Sequence, residues 1–468
     1  MNEVLKRDLD QMGILLEGIK KEGLSFLRDI NEIPTSTQPK VPAGNPLNHK
    51  GKGAIAAFEE FSERFKPIMV GSPGPRYWGY VTGGSTPAAI MGDWLTSIYD
   101  QNPQGIKGNG DISALLELEA LDLLLELFDL PKQYTGGFVT GAMMSNFTCL
   151  ATARQWLGNE QGMDVSKEGL FNCPEIKVLS ATPHSSSIKA LALLGMGSTN
   201  IIQVETMQGN REAIAMDSLE QQIQELNGAP FLLISSAGTV NSGDFDDFEA
   251  ISALKSKYKF WWHIDAAFGA FVSCSPKYKH LVKGWEDADS ITVDGHKWLN
   301  VPYENAVFFI KEKHNKLQVE TFQNSNAPYL GDIAENFSYL NLLPENSRRL
   351  KALPVWFTLK AYGKEGYQSI VENNIQLAKD LGEWIQNHHQ LELLSAVNLN
   401  IVSFTWKNAD HETIDEFLNR LNARGKVFMT PSIYKGRKGI RAALVNWRTS
   451  PMDIDIAINE IEATLQSF

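Results

Sequence analysis

The chain has 468 residues, 43% hydrophobic and 21% charged, which is too much for one ordinary core and predicts two or three globular domains. A formal net charge of −12 excludes nucleic acid as a main partner, because phosphate backbones are met by basic surfaces. No apolar run approaches the roughly 20 residues that cross a bilayer, so a membrane is not expected as a partner either.

The opening segment, "MNEVLKRDLDQ", mixes both charge signs and lacks the apolar stretch of a signal peptide. Leu5, Leu9, Met12, Leu16 and Ile19 recur at spacings of four and three, which predicts a helical arm with one narrow apolar face. That face covers either this chain's own core or a second subunit. Pro34, Pro39, Pro42 and Pro46 follow and predict an extended connector. From about residue 130 to 311, short apolar runs ("GGFVTG", "EIKVLSA", "PFLLISSA", "KFWWHID", "DSITVD", "NAVFFIK") alternate with helical patterns. This α/β alternation predicts a mostly parallel sheet with helices on both faces. Cys149, Cys173 and Cys274 have no metal-type spacing and fit a reducing cytoplasmic setting, with no metal expected. Residues 324–346 carry no clear period and predict a long, mobile loop of the lid kind. Beyond them a strongly helical stretch, then "LNIVSFTW", "HETIDEFLNRLNARG", "GIRAALVN" and a last helix predict a small α+β domain. The expected division is an arm and connector over 1–65, a large domain over 66–345 and a small domain over 346–468.

Four unusual stretches fall at predicted strand ends, where open α/β sheets bind ligands. Asp265 closes the buried-looking strand in "WWHIDAAFG" and reads either as a helix cap or as a carboxylate awaiting a cation. His184, in "SATPHSSSIKALALLG", stands between strand and helix. The turn in "GGFVTGAMMSNFTC" opens a helix whose free N–H groups suit an anion. In "VDGHKWLN", Lys297 is held between His296 and Trp298 straight after a strand; a desolvated lysine amine is a Schiff-base nucleophile. Taken singly, each has a bland structural explanation. Taken together, they supply an amine, a carboxylate for a ring cation, a stacking imidazole and a phosphate cradle. Pyridoxal 5′-phosphate needs all four.

With "HIDAAFGAF", "ADSITVDGHKWLN", "GPRYWGYVTGGSTPAAIMGDWLTSIYDQNP", "LLELEALDLLLELF" and "IRAALVNWRTSP", the chain resembles the group II pyridoxal-phosphate-dependent amino-acid decarboxylases over nearly its whole length. The resemblance implies the fold-type-I architecture of these enzymes, a homodimer, and decarboxylation of an L-amino acid through a Schiff base between substrate and cofactor. It implies that Lys297 carries the cofactor, that Asp265 pairs with the ring nitrogen, and that Ala267 and His184 face the two sides of the ring. Ala142, Met143 and His296 match the phosphate positions, and Thr239 is a further cofactor contact. Thr82 matches the substrate end of the pocket. Trp78, Tyr80 and Tyr77 read either as the lining of a pocket for an aromatic ring or as plain core, and Arg76 or Arg348 would either meet an acidic side chain or bind a neighbouring carboxylate.

Three departures bear on the phosphate: "GAMMSN" offers no hydroxyl at Met143, Val240 replaces a threonine, and Asp294 stands where some relatives have Asn. Relatives use a loop tyrosine to return the proton to Cα, and a phenylalanine there goes with aldehyde formation. Counting back from Arg348 and Arg349 reaches Tyr339 for that role, counting back from Pro344 reaches Ser338, and Tyr329 reads as structural. The rival readings are oxidative deamination or transamination on the same cofactor, and cofactor binding without turnover. The side-chain class of the substrate is not legible.

Overall fold

Runs rich in β-branched and aromatic residues, bounded by Gly, Asn and Asp, form two sheets in the computed structural model, which describes residues 1–38, 43–107, 110–323 and 337–468. The larger sheet comprises β1 (Tyr134–Val139), β2 (Lys177–Ser180), β3 (Ile202–Gln203), β4 (Phe231–Ser236), β5 (Phe260–Asp265), β6 (Ser290–Asp294) and β7 (Ala306–Lys311). Their spatial order is β1-β7-β6-β5-β4-β2-β3. Strands β2 to β6 run parallel, and β7 is antiparallel to both β6 and β1. The fold is therefore the mostly parallel α/β sheet that the sequence predicts, with one reversed strand. Both faces are covered, and alternate residues of one strand enter different cores. Leu233 and Trp262 join one cluster, while Leu232 and Trp261 join the other.

The smaller sheet is antiparallel, with β8 (Leu391–Leu393), β9 (Ile401–Trp406), β10 (Thr430–Tyr434) and β11 (Arg437–Ala443) in the order β10-β11-β9-β8. Its core includes Phe404, Ile440 and Trp78. Helix Ala352–Asn387 connects the two sheets, and it breaks at Gly363, where φ is +57°. The close fit of Gly92 to Pro354 seats the start of this helix on helix Pro87–Tyr99.

Two corrections concern the ends of predicted elements. The arm is two helices, Glu3–Asp10 and Met12–Arg28, separated at Gln11, and its apolar seam is not covered by this chain's own core: Leu5 is 64% exposed and Leu16 53%. Of the expected lid, residues 324–336, with Tyr329, lie outside the described residues. The remainder is no open loop: Tyr339, Leu342 and Leu343 are buried in the core, with Tyr339–Asn341 forming a short helical turn. No helix among the described residues is long and apolar enough to cross a membrane.

Candidate active site

Parallel pairing brings the carboxyl ends of neighbouring strands to one edge, with Ser236 opposite Asp265 and Asp265 opposite Thr292. A cavity of about 830 Å³ opens there, lined by Ala142, Met143, His184, Thr239, Asp265, Ala267, His296 and Lys297, among others. The structure thus brings together eight residues that the sequence separates by up to 155 positions.

Asp265 is held by design of its surroundings. Asn146 Nδ2 donates to its Oδ2 at 3.0 Å, Ser187 Oγ does so at 3.4 Å, and the Ala267 N–H reaches Oδ1 at 3.2 Å. Burial alone would raise its carboxyl, but His184, Lys297 and the Asn146 hydrogen bond outweigh burial and hold it below the usual carboxylate range. A buried anion thus persists at neutral pH, ready for a ring cation. Asn146 was not singled out in the sequence. Its signal was there: a polar residue on the buried side of the helix that follows the anion-binding turn.

His184 caps helix Ser185–Leu193, with its Nδ1 accepting the Ser186 N–H at 3.2 Å, and it also lines the cavity. With Nδ1 an acceptor, the neutral ring carries its proton on Nε2. Burial lowers its pKa, which favours that neutral form. Ala267, small and 8% exposed, leaves room for a flat ring.

Lys297 is nearly enclosed, and its Nζ lies 3.0 Å from Asp294 Oδ2. The other oxygen of Asp294 accepts the Ala142 N–H at 2.7 Å. His296 donates through Nδ1 to the Asn305 carbonyl at 3.0 Å, and its ring packs on Tyr303 with centroids 4.4 Å apart. The strand-like segment before helix Pro87–Tyr99 runs against this turn: the Gly83 N–H donates to the His296 carbonyl at 3.0 Å. A Cβ at Gly83 would sit 1.8 Å from the Lys297 carbonyl oxygen, so only glycine passes.

At the expected substrate end, the structure favours the core alternative for Trp78, which is fully buried in the small-sheet core and donates to the Pro75 carbonyl. Thr82 lies behind the wall, 5% exposed, with its hydroxyl 2.5 Å from that of Tyr303. Tyr80 and Val81 line the cavity in its place, both in the left-handed region with φ of 59° and 58°. Strain at a β-branched residue such as Val81 is typical of a functional segment. Arg76 and Arg348 are committed to buried ion pairs with Asp453 and Glu117.

Tyr339 is also corrected. It is 0% exposed, wedged between Phe337 at 4.8 Å and the Arg348 guanidinium at 4.4 Å, and it does not line the cavity. Burial, and secondarily Glu117, push its phenol far above the ordinary tyrosine range. Two charged residues that sequence reasoning missed do face the cavity. Arg441, on β11, is 3.4 Å from its nearest partners, the Val240 carbonyl and Thr430 Oγ1, and its Nε has no hydrogen-bond partner among the described residues. Glu212 accepts from Ser242 Oγ at 2.6 Å, and Ser242 in turn meets the Thr239 hydroxyl at 2.9 Å.

A buried anion, an enclosed amine, a small residue and an imidazole on one cavity wall, and a helix start sharing a carboxylate with the amine together fit pyridoxal 5′-phosphate. Comparison with known proteins agrees. Residues 48–407 match the model of the pyridoxal-dependent decarboxylase conserved domain. The chain is 28% identical to an aromatic-L-amino-acid decarboxylase of Bacillus atrophaeus, covering 83% of this chain and 81% of the relative. It is 25% identical to a phenylacetaldehyde synthase of Petunia hybrida, over 83% and 80%. The crystal structure of Oryza sativa TDC with PLP and tryptamine superposes with a TM-score of 0.87, at 20% identity, covering 98% of each chain. Fold, cavity chemistry and domain match converge: the chain belongs to the pyridoxal-dependent decarboxylase family and is a fold-type-I, pyridoxal-phosphate-dependent carboxy-lyase.

Proposed function

We propose that this cavity decarboxylates an L-amino acid to its amine, with Lys297, Asp265 and His184 as its cofactor-facing groups and Arg441 as the anchor for a substrate carboxylate. The observation that carries this assignment is the shared cavity itself, in which the enclosed amine, the held carboxylate and an underpaired guanidinium face one space. The bound cofactor supplies an aldehyde for amines and a ring that accepts the electron pair released at Cα. Lys297 would hold the cofactor through its amine. Asp265 would keep a proton on the ring nitrogen, with His184 and Ala267 toward the ring, and Ala142, Met143, His296 and Thr239 would complete the cofactor's surroundings. Arg441 would bind a substrate carboxylate and so orient the substrate in the cavity. With Tyr339 in the core, the groups on the cavity wall that would return a proton to Cα include Lys297, His184, His296 and Tyr80.

Homodimerisation and a cytoplasmic setting belong to the same proposal. The exposed apolar seam of the arm supports a second subunit, and three free cysteines support a reducing compartment. The division at 1–65, 66–345 and 346–468 is likewise proposed, supported by the separate core of the small sheet. The test is a panel of aromatic, acidic and diamino L-amino acids scored for carbon dioxide and amine. Equal yields of both from at least one substrate are expected. Aldehyde with hydrogen peroxide and no amine would assign the oxidative reaction instead.

A further inference from the structure

We propose that Asp294 is an internal anion that the cofactor's phosphate must displace, so that one carboxylate restrains loading of the site. The proposal rests on the assignment of Lys297 and the Ala142 turn as the cofactor site. Asp294 is 2% exposed and holds both halves of that site at once. Its Oδ1 takes the Ala142 N–H at 2.7 Å, the start of helix Ala142–Glu160 where an anion is favoured. Its Oδ2 is 3.0 Å from Lys297 Nζ, the amine that must be free to meet an aldehyde. The carboxylate therefore does within the chain what phosphate does on binding, and it also occupies the nucleophile.

The backbone gives Asp294 little freedom to retreat. Its N–H donates to the Ala267 carbonyl at 2.9 Å, and it pairs with Ala306 at the end of β6. Only side-chain rotation clears the cradle. A phosphate dianion arriving beside an unmoved carboxylate meets like charge in a poorly hydrated place, where repulsion is far stronger than in water. An asparagine would keep an oxygen for the Ala142 N–H while carrying no charge and releasing Lys297.

The test compares two aldehydes on the apoprotein, read by absorbance titration. Pyridoxal 5′-phosphate carries the phosphate, whereas pyridoxal lacks it and reports the amine alone. In Asp294→Asn, affinity for pyridoxal 5′-phosphate should rise about tenfold or more, and by a larger factor than affinity for pyridoxal. Inorganic phosphate should compete with loading more strongly in the variant than in the parent. Asp294→Ser, with thermal melting of each apoprotein, gives the same decision should the asparagine variant fold poorly. Unchanged or weaker binding of pyridoxal 5′-phosphate, or equal gains for both aldehydes, overturns the proposal while leaving the site assignment in place. No absorbance change with either aldehyde, in parent and variants alike, overturns the site assignment and the proposal with it.

Discussion

Asn146 bridges Asp265 to His263: its Nδ2 donates to Asp265 Oδ2 at 3.0 Å, and its Oδ1 lies 2.9 Å from His263 Nε2. Burial lowers the His263 pKa to about 4, so the ring is neutral at physiological pH and donates from Nε2 to the amide oxygen. That fixes which way the amide points and directs its N–H₂ at the carboxylate. The orientation of Asp265 is thus set from behind, by a residue that does not itself line the cavity.

Asn146→Ala should lower turnover by about ten- to a hundredfold, the scale of losing a hydrogen bond to a buried charge. It should also move the titration of the cofactor absorbance to lower pH, because a less well-held Asp265 supports the ring proton less. Asp265→Asn should be more severe, at about a hundredfold or worse, with the fold intact by circular dichroism. A normal spectral titration in Asn146→Ala would make Asn146 a packing residue only.

Arg441 pairs poorly at 3.4 Å inside its own chain, with Nε unpartnered, and such a group gains most from a carboxylate. Arg441→Met should raise KM about tenfold or more with a smaller change in kcat, and Arg441→Lys should recover part of the loss. A KM within twofold of the parent in Arg441→Met would remove this residue from substrate binding.

Tyr339→Phe should leave the product unchanged, with amine formed and neither aldehyde nor hydrogen peroxide, since the phenol is buried beneath Arg348. Stability should shift by no more than about 1 kcal/mol, because the ring and its contacts remain. Aldehyde production by this variant would mean that the 337–346 segment leaves the core during turnover.

The site was legible in the sequence where chemistry coincides with strand ends. Asp265 and Lys297 close or follow consecutive strands β5 and β6, so topology alone sets them side by side. Arg441 was not legible, because it comes from another sheet and reads as the polar member of an alternating strand, between Ile440 and Ala442. Tyr339 was misread because counting along the chain says nothing of packing; the nearby Leu342 and Leu343 were the sign of a core segment. Among the aromatic residues that the sequence offers for the pocket, Tyr80 lines the cavity while Trp78 is core, and the left-handed backbone at Tyr80 and Val81 is what turns this segment toward the cavity. Backbone handedness at non-glycine residues leaves no mark in composition or period.

The most direct measurement of the central claim is borohydride reduction of the cofactor-loaded protein, followed by peptide mapping. The account predicts one pyridoxyl-phosphate adduct, on the peptide containing Lys297, and its loss together with carbon dioxide release in Lys297→Ala. An adduct on a different lysine, or retained carbon dioxide release by Lys297→Ala, would contradict it.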